Sequence, residues 1–106
     1  MSEHVRELLS ALKSRLRDLY GARLRGVYLF GSYARGEADE ESDVDVLIVL
    51  DRLDRYSDEI ELTSGAVADV SLKYGLSVSV VFASERQWQQ SGTLFFLNAR
   101  EEAIPA

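Results

Sequence analysis

Gly31-Ser32-Tyr33-Ala34-Arg35-Gly36, an acidic stretch to Ser42, and then Asp43-Val44-Asp45-Val46-Leu47-Ile48-Val49-Leu50 is the part of the chain that decides its architecture. From Val44 to Leu50 every residue except Asp45 is apolar and most are β-branched, which predicts a buried strand. Side chains alternate along a strand with period two, so Val44, Val46, Ile48 and Leu50 share one face and Asp43 and Asp45 the other. Two carboxylates on one side of a buried sheet repel each other, and burying either without a partner is costly. A divalent cation between them relieves both penalties. The alternative is an exposed strand start whose carboxylates take turn or cap hydrogen bonds.

Immediately upstream, Leu24 to Phe30 is rich in β-formers and ends at Gly31-Ser32, which predicts a strand running into a tight turn and a helical turn over Ser32 to Arg35. Glycine there lets the backbone approach a ligand closely, and Ser32 presents a hydroxyl and free N–H groups that suit a phosphate. Gly36 to Ser42 reads as an exposed loop. Farther out, Val5, Leu8, Leu9, Leu12, Leu16 and Leu19 recur at helical spacing and predict a core helix over 3–20, with Ser2 as N-cap and Gly21 as stop. Downstream, Ser57 is expected to cap a second long helix running to Tyr74, with Ile60, Thr63, Val67, Val70 and Tyr74 on one face and Gly75 at its end. Leu76 to Phe82 alternates and predicts a third strand. Ser84 then caps a short helix containing Glu85 and Trp88, and Thr93 caps a last one holding Leu94, Phe95, Phe96 and Leu97, with Pro105 beyond its end. This order predicts an α/β (α+β) domain, a small mixed sheet of three to four strands with helices packed on one face.

The length, 106 residues, suits one domain over 1–106. Apolar and charged contents of 46% and 28% are those of a soluble globular protein, and no apolar run approaches the ~20 residues of a membrane-spanning helix. The N-terminal segment carries Arg and Glu in place of a signal peptide's apolar core, and there are no cysteines, so a cytoplasmic location is expected. A net charge of -6 and a pI near 4.7 argue against direct binding to nucleic acid, which takes clustered cations. Lys13, Arg15, Arg17, Arg23, Arg25 and Arg35 form either a basic rim near the phosphate turn or a solvated helix face. His4, without partners, reads as a surface residue; Tyr33 stacks or packs. Trp88, Phe95 and Phe96 have the spacing of core residues, with a partner surface as the alternative. The small size and bulky apolar C-terminus are compatible with a homo- or hetero-oligomer.

Gly31-Ser32, ten residues, then Asp43-x-Asp45 resembles the nucleotidyltransferase signature of the DNA polymerase beta superfamily without a gap. Ala34-Arg35-Gly36 after the Gly-Ser, Ser42 before the first Asp, the order of elements and the tail from Phe95-Phe96-Leu97-Asn98 to Ile104 make the chain similar to the minimal nucleotidyltransferases, the MNT proteins. The resemblance implies a nucleotidyltransferase fold in which Asp43 and Asp45 are the catalytic, Mg2+-binding carboxylates. Gly31 and Ser32 would hold a nucleoside triphosphate, with Arg35 following the turn toward its phosphates. Magnesium would neutralise the transition state and the leaving pyrophosphate. The resemblance further implies transfer of AMP from ATP to a protein hydroxyl by an antitoxin whose partner is a co-encoded HEPN-type toxin, the added phosphate group blocking it by charge and bulk. Relatives that modify small molecules carry an extra helical domain for the substrate, so the implied acceptor is a large one that brings its own surface.

The sequence departs from the family pattern at one point. Active members usually carry a third carboxylate on the next strand, where Leu76-Ser77-Val78-Ser79-Val80-Val81-Phe82 offers Ser77 and Ser79. Serine is no general base near neutral pH and is a weak neutral ligand for a hard cation. A second expectation follows, a catalytically weakened nucleotidyltransferase-like antitoxin that neutralises its partner by binding. The other nearby acids, Glu37, Asp39, Glu40 and Glu41 in the loop and Glu85 in a helix first turn, read as solvated or dipole-paired residues.

Overall fold

A computed structural model describes residues 1–106. The apolar spacing of the N-terminal segment winds it into α1, Glu3–Tyr20, where Ser2 Oγ accepts from the Val5 N–H at 3.2 Å and Gly21, at φ 55, ends the helix. A 3-10 turn over Gly21–Arg23 leads to β1, Leu24–Phe30, and to the five-residue α2, Gly31–Arg35. There follow β2, Val44–Leu50; α3, Tyr56–Tyr74; β3, Val78–Ser84; α4, Glu85–Gln90; α5, Leu94–Glu102; and β4, Ile104–Pro105. The strands form one sheet in the order β3-β2-β1-β4. β1 is antiparallel to both β2 and β4, and β2 is parallel to β3 through the α3 crossover, so the sheet is mixed, as expected for this fold class.

Alternation along the strands divides the interior. Val27, Leu29, Val44, Val46, Ile48 and Leu50 face α1 and α3, and with Leu8, Leu12, Leu16 and Val70 they build the main core. Leu47, Val49 and Ala83 point the other way, into a smaller cluster with Tyr28, Phe30, Trp88 and Phe96. This second face carries α4 and α5, so helices cover both sides of the sheet rather than only one. No helix is long and apolar enough to cross a membrane.

Several boundaries differ from the sequence reading, each through a long-range contact. Helix α3 begins at Tyr56 after Arg55 and has no side-chain cap, which puts Ser57 inside it. Tyr56 is fixed instead by β3: its hydroxyl accepts from the Phe82 N–H at 3.0 Å, and the two rings meet edge to face at 5.7 Å. The buried stripe of α3 is Glu59, Thr63, Ala66 and Val70, leaving Ile60 exposed. Glu59 is tolerated there because its carboxylate accepts from Tyr20 Oη at 3.0 Å and meets Arg23 at 3.5 Å. That contact makes Tyr20, rather than the exposed Leu19, the residue closing the end of α1. Strand β3 starts two residues later than Leu76, and Ser77 lies before it, its carbonyl accepting from the Val44 N–H at 2.8 Å. Pro105 is not past the last element but in β4, an edge strand, where a missing N–H is harmless. Thr93 occupies the α5 N-cap position without a side-chain hydrogen bond. Of the C-terminal apolar residues, Trp88 and Phe96 pack as expected, while Leu94, Phe95 and Leu97 are exposed.

Candidate active site

The register of β1 and β2 pairs Phe30 with Asp45, so the turn after Phe30 and the carboxylates at the head of β2 lie at the same end of the sheet. Gly31 has φ +74, where side-chain-bearing residues are strained, and its Cα abuts Asp45. A Cβ there would overlap Asp45 Oδ2 and lie 3.1 Å from its Cγ. Two independent constraints therefore select glycine. Ser32 follows in the first turn of α2, and Gly36, at φ 73, closes that short helix. Asp45 is half-buried on the α5 side of the sheet, and Asp43 is exposed just ahead of the strand. The loop leading to them is braced locally: the Asp39 N–H donates to Ser42 Oγ at 3.0 Å, and the Glu41 N–H donates to Asp39 Oδ1 at 2.9 Å.

A cleft of about 390 Å³ opens at this end. Phe30, Gly31, Ser32, Arg35 and Asp45 line one side, and Phe95, Asn98, Ala99 and Glu102 line the other. The second group is a single stripe of α5, spaced three and four residues apart. Burial raises the Asp45 carboxyl above the ordinary aspartate range; the Asp43 charge raises it further, Arg35 opposes the shift, and Glu102 adds to it. The site holds excess negative charge and one close cation.

Glu102 is the site residue that sequence reasoning missed. Its Oε1 accepts from the Gly31 N–H at 3.1 Å and its Oε2 from Arg35 Nη1 at 3.1 Å. Arg35 Nε also donates to Glu37 Oε2 at 3.0 Å, so Arg35 is neither free in solvent nor alone, and Glu37 is not a purely solvated loop acid. The only trace of Glu102 in the sequence is its spacing, seven residues after Phe95 on the same helix face.

Other candidates fall elsewhere. Arg15 pairs with Asp69 and Arg23 with Asp51 and Glu59. Lys13, Arg17 and Arg25 line a groove of about 540 Å³ at the start of β1. That groove is larger than the cleft but is lined by no acidic side chain, so the expected basic rim at the phosphate turn reduces to Arg35. His4 is exposed, with Nε2 donating to the Tyr74 carbonyl at 2.6 Å. Tyr33 packs against the main core, and Glu85 stands in the first turn of α4, 3.9 Å from Arg25.

On β3, Ser79 is in direct register with Asp45 and exposed, whereas Ser77 lies outside the strand. Nowhere do three or more His, Asp or Glu side chains approach closely enough to enclose a metal. Two carboxylates fit the habit of Mg2+, which retains waters and binds through one or two acids together with substrate phosphates. The donor set suits a metal that arrives with a nucleotide better than a resident ion.

Fold and site together define a small α/β domain of the nucleotidyl-transfer class. The chain belongs to the nucleotidyltransferase domain family, whose sequence profile matches residues 6–97. It is 34% identical over 99 residues to a candidate protein adenylyltransferase of Methanocaldococcus jannaschii, covering 92% of this chain and 89% of that one. It is 40% identical over 74 residues to the protein adenylyltransferase MntA of Thermococcus cleftensis, covering 70% and 73%. Among solved structures, a candidate minimal nucleotidyltransferase superposes with a TM-score of 0.64 at 27% identity, over 98% of this chain and 94% of that one. A chain of a toxin-antitoxin structure with AMP-PNP shares the fold, with a TM-score of 0.62 at 20% identity over 96% of this chain and 68% of that one.

Proposed function

We propose that this chain is a Mg2+-dependent nucleotidyltransferase that moves AMP from ATP to a hydroxyl of a partner protein, as the antitoxin of a pair whose toxin is of HEPN type. The observation that carries the reading is the contact of Gly31 with Asp45. A triphosphate held at the Gly31-Ser32 turn has its phosphates beside that carboxylate by construction. The names of the relatives, protein adenylyltransferases, and the fold shared with a toxin-antitoxin chain support the acceptor class.

In this reading Asp43 and Asp45 hold the metal that accompanies the triphosphate. When bound, it neutralises charge on the reacting phosphates and on the leaving pyrophosphate. Gly31, Ser32 and Arg35 orient the phosphate chain through N–H, hydroxyl and guanidinium donors. The acceptor oxygen forms a bond to the α-phosphorus, the bond to pyrophosphate breaks, and the hydroxyl proton passes to water or to a base on the partner. No side chain on β3 can take it, since Ser79 stands in register with Asp45.

That serine favours the second reading, an antitoxin that neutralises its toxin by contact and retains the site as a remnant. Incubation with α-labelled ATP, Mg2+ and the co-encoded partner separates the two. Label on the partner, lost in Asp45→Asn, is the expected result. An unlabelled partner that still forms a complex with the Asp43→Asn/Asp45→Asn variant would leave only the binding reading.

A further inference from the structure

Two donors in the cleft are positioned to receive a phosphate, and both are engaged by a single carboxylate. Glu102 Oε1 takes the Gly31 N–H and Oε2 takes Arg35 Nη1, each at 3.1 Å. A carboxylate bridging a turn N–H and a guanidinium has the charge sign and the acceptor geometry of a phosphate bridging the same pair. We propose that Glu102 is an internal stand-in for the nucleotide phosphate, which the triphosphate must displace, and that it thereby determines which anions the site admits. The inference rests on reading Gly31-Ser32 and Arg35 as the triphosphate-binding groups.

The placement of Glu102 makes displacement a side-chain event. It is the last residue of α5, and two residues later Ile104 pairs with Leu29 in the sheet. Its backbone is thus tied to the strand that leads into the Gly31 turn, while the carboxylate can rotate away about its own torsions. The side chain is 23% exposed, so solvent screens it only in part. The charges facing it are Arg35, which Glu37 shares, and Asp45 with Asp43 beyond. An incoming anion therefore meets a cleft whose donors are engaged and whose net charge is negative. A ligand bringing one phosphate and no metal has little with which to replace Glu102. A metal-bound triphosphate brings several acceptor oxygens and a cation that the two aspartates attract. With the nucleotide gone, Glu102 again satisfies the turn, so the donors are never left unpaired.

Titration calorimetry on the full chain tests this with Mg2+-ATP, inorganic phosphate and adenosine as separate probes. Glu102→Gln keeps an acceptor for the Gly31 N–H and removes the charge. It is expected to bind Mg2+-ATP on the order of tenfold more tightly than wild type. It should also admit inorganic phosphate as a competitor and leave adenosine binding unchanged. The gain should shrink as salt is raised. Glu102→Ala, checked for an intact melting transition, is the second variant and should behave alike. Equal or weaker Mg2+-ATP binding in both variants, with wild type binding measurably, overturns the proposal and makes Glu102 a brace for the turn. If wild type and variants all fail to bind Mg2+-ATP, the nucleotide-site reading itself falls and the proposal with it.

Discussion

Gly31 meets two demands at once, a positive φ and a missing Cβ against which the Asp45 carboxylate rests. Gly31→Ala should lower stability by about 1–3 kcal/mol in chemical denaturation, the range for a strained backbone residue, and should remove nucleotide binding as Asp45 is pushed aside. Asp45 makes the opposite demand on the fold. Burial, then the Asp43 charge, raise its carboxyl above the ordinary aspartate range. A carboxyl raised in the folded state gives stability that is fully present below its unfolded value and is lost as pH rises through the folded one. At neutral pH the Asp45 charge therefore opposes folding. Asp45→Asn is expected to raise the melting temperature at pH 7 by about 2–4 °C, a modest shift for a chain of this size, and the gain should disappear below about pH 4. Calorimetry between pH 3 and 8 measures it, and partner labelling should be abolished in the same variant. Stability sacrificed at one residue for function is the pattern of a working site.

The parallel register of β2 and β3 sets Ser79 beside Asp45 on the face that α5 covers. Ser79→Asp would put a carboxylate where the sequence lacks one. It should lower stability by about 0.5 kcal/mol through the like-charge neighbour, tighten Mg2+ in a metal titration, and raise the labelling rate at saturating Mg2+-ATP. An unchanged rate would mean that the partner already supplies the base. The β2 face assignments were legible because alternation in Val44 to Leu50 is a local pattern, and α1 was legible because its leucines recur over five turns. Local patterns could not give the start of α3, which Tyr56 and Phe82 decide, or the start of β3. Glu102 was hidden for the same reason in stronger form. It is one of two consecutive glutamates at a helix end, and it becomes a site residue only through a hydrogen bond spanning 71 positions.

The site occupies one end of a sheet buried on both faces, and the strands that lead into Gly31 and carry Asp45, β1 and β2, supply six of the fourteen buried residues of the main core, as many as α1 does. Val44 and Val46, flanking Asp45, are both fully buried, so anything that holds the carboxylate also holds the center of the fold. Binding at this cleft should then register as global stability rather than as local ordering, because a small fold of this size unfolds cooperatively. At Mg2+-ATP a hundredfold above its dissociation constant the gain is about 2.7 kcal/mol, worth roughly 10 °C or more in melting temperature for a chain of this length. Adding a chelator should remove nearly all of that shift, since metal-free triphosphate brings only negative charge to a cleft already lined by Asp45 and Glu102. Asp45→Asn should show its own raised melting point and no further shift with nucleotide. A chelator-resistant shift of the same size would mean that the phosphates are held by Gly31 and Arg35 alone and that the aspartates do not carry the metal.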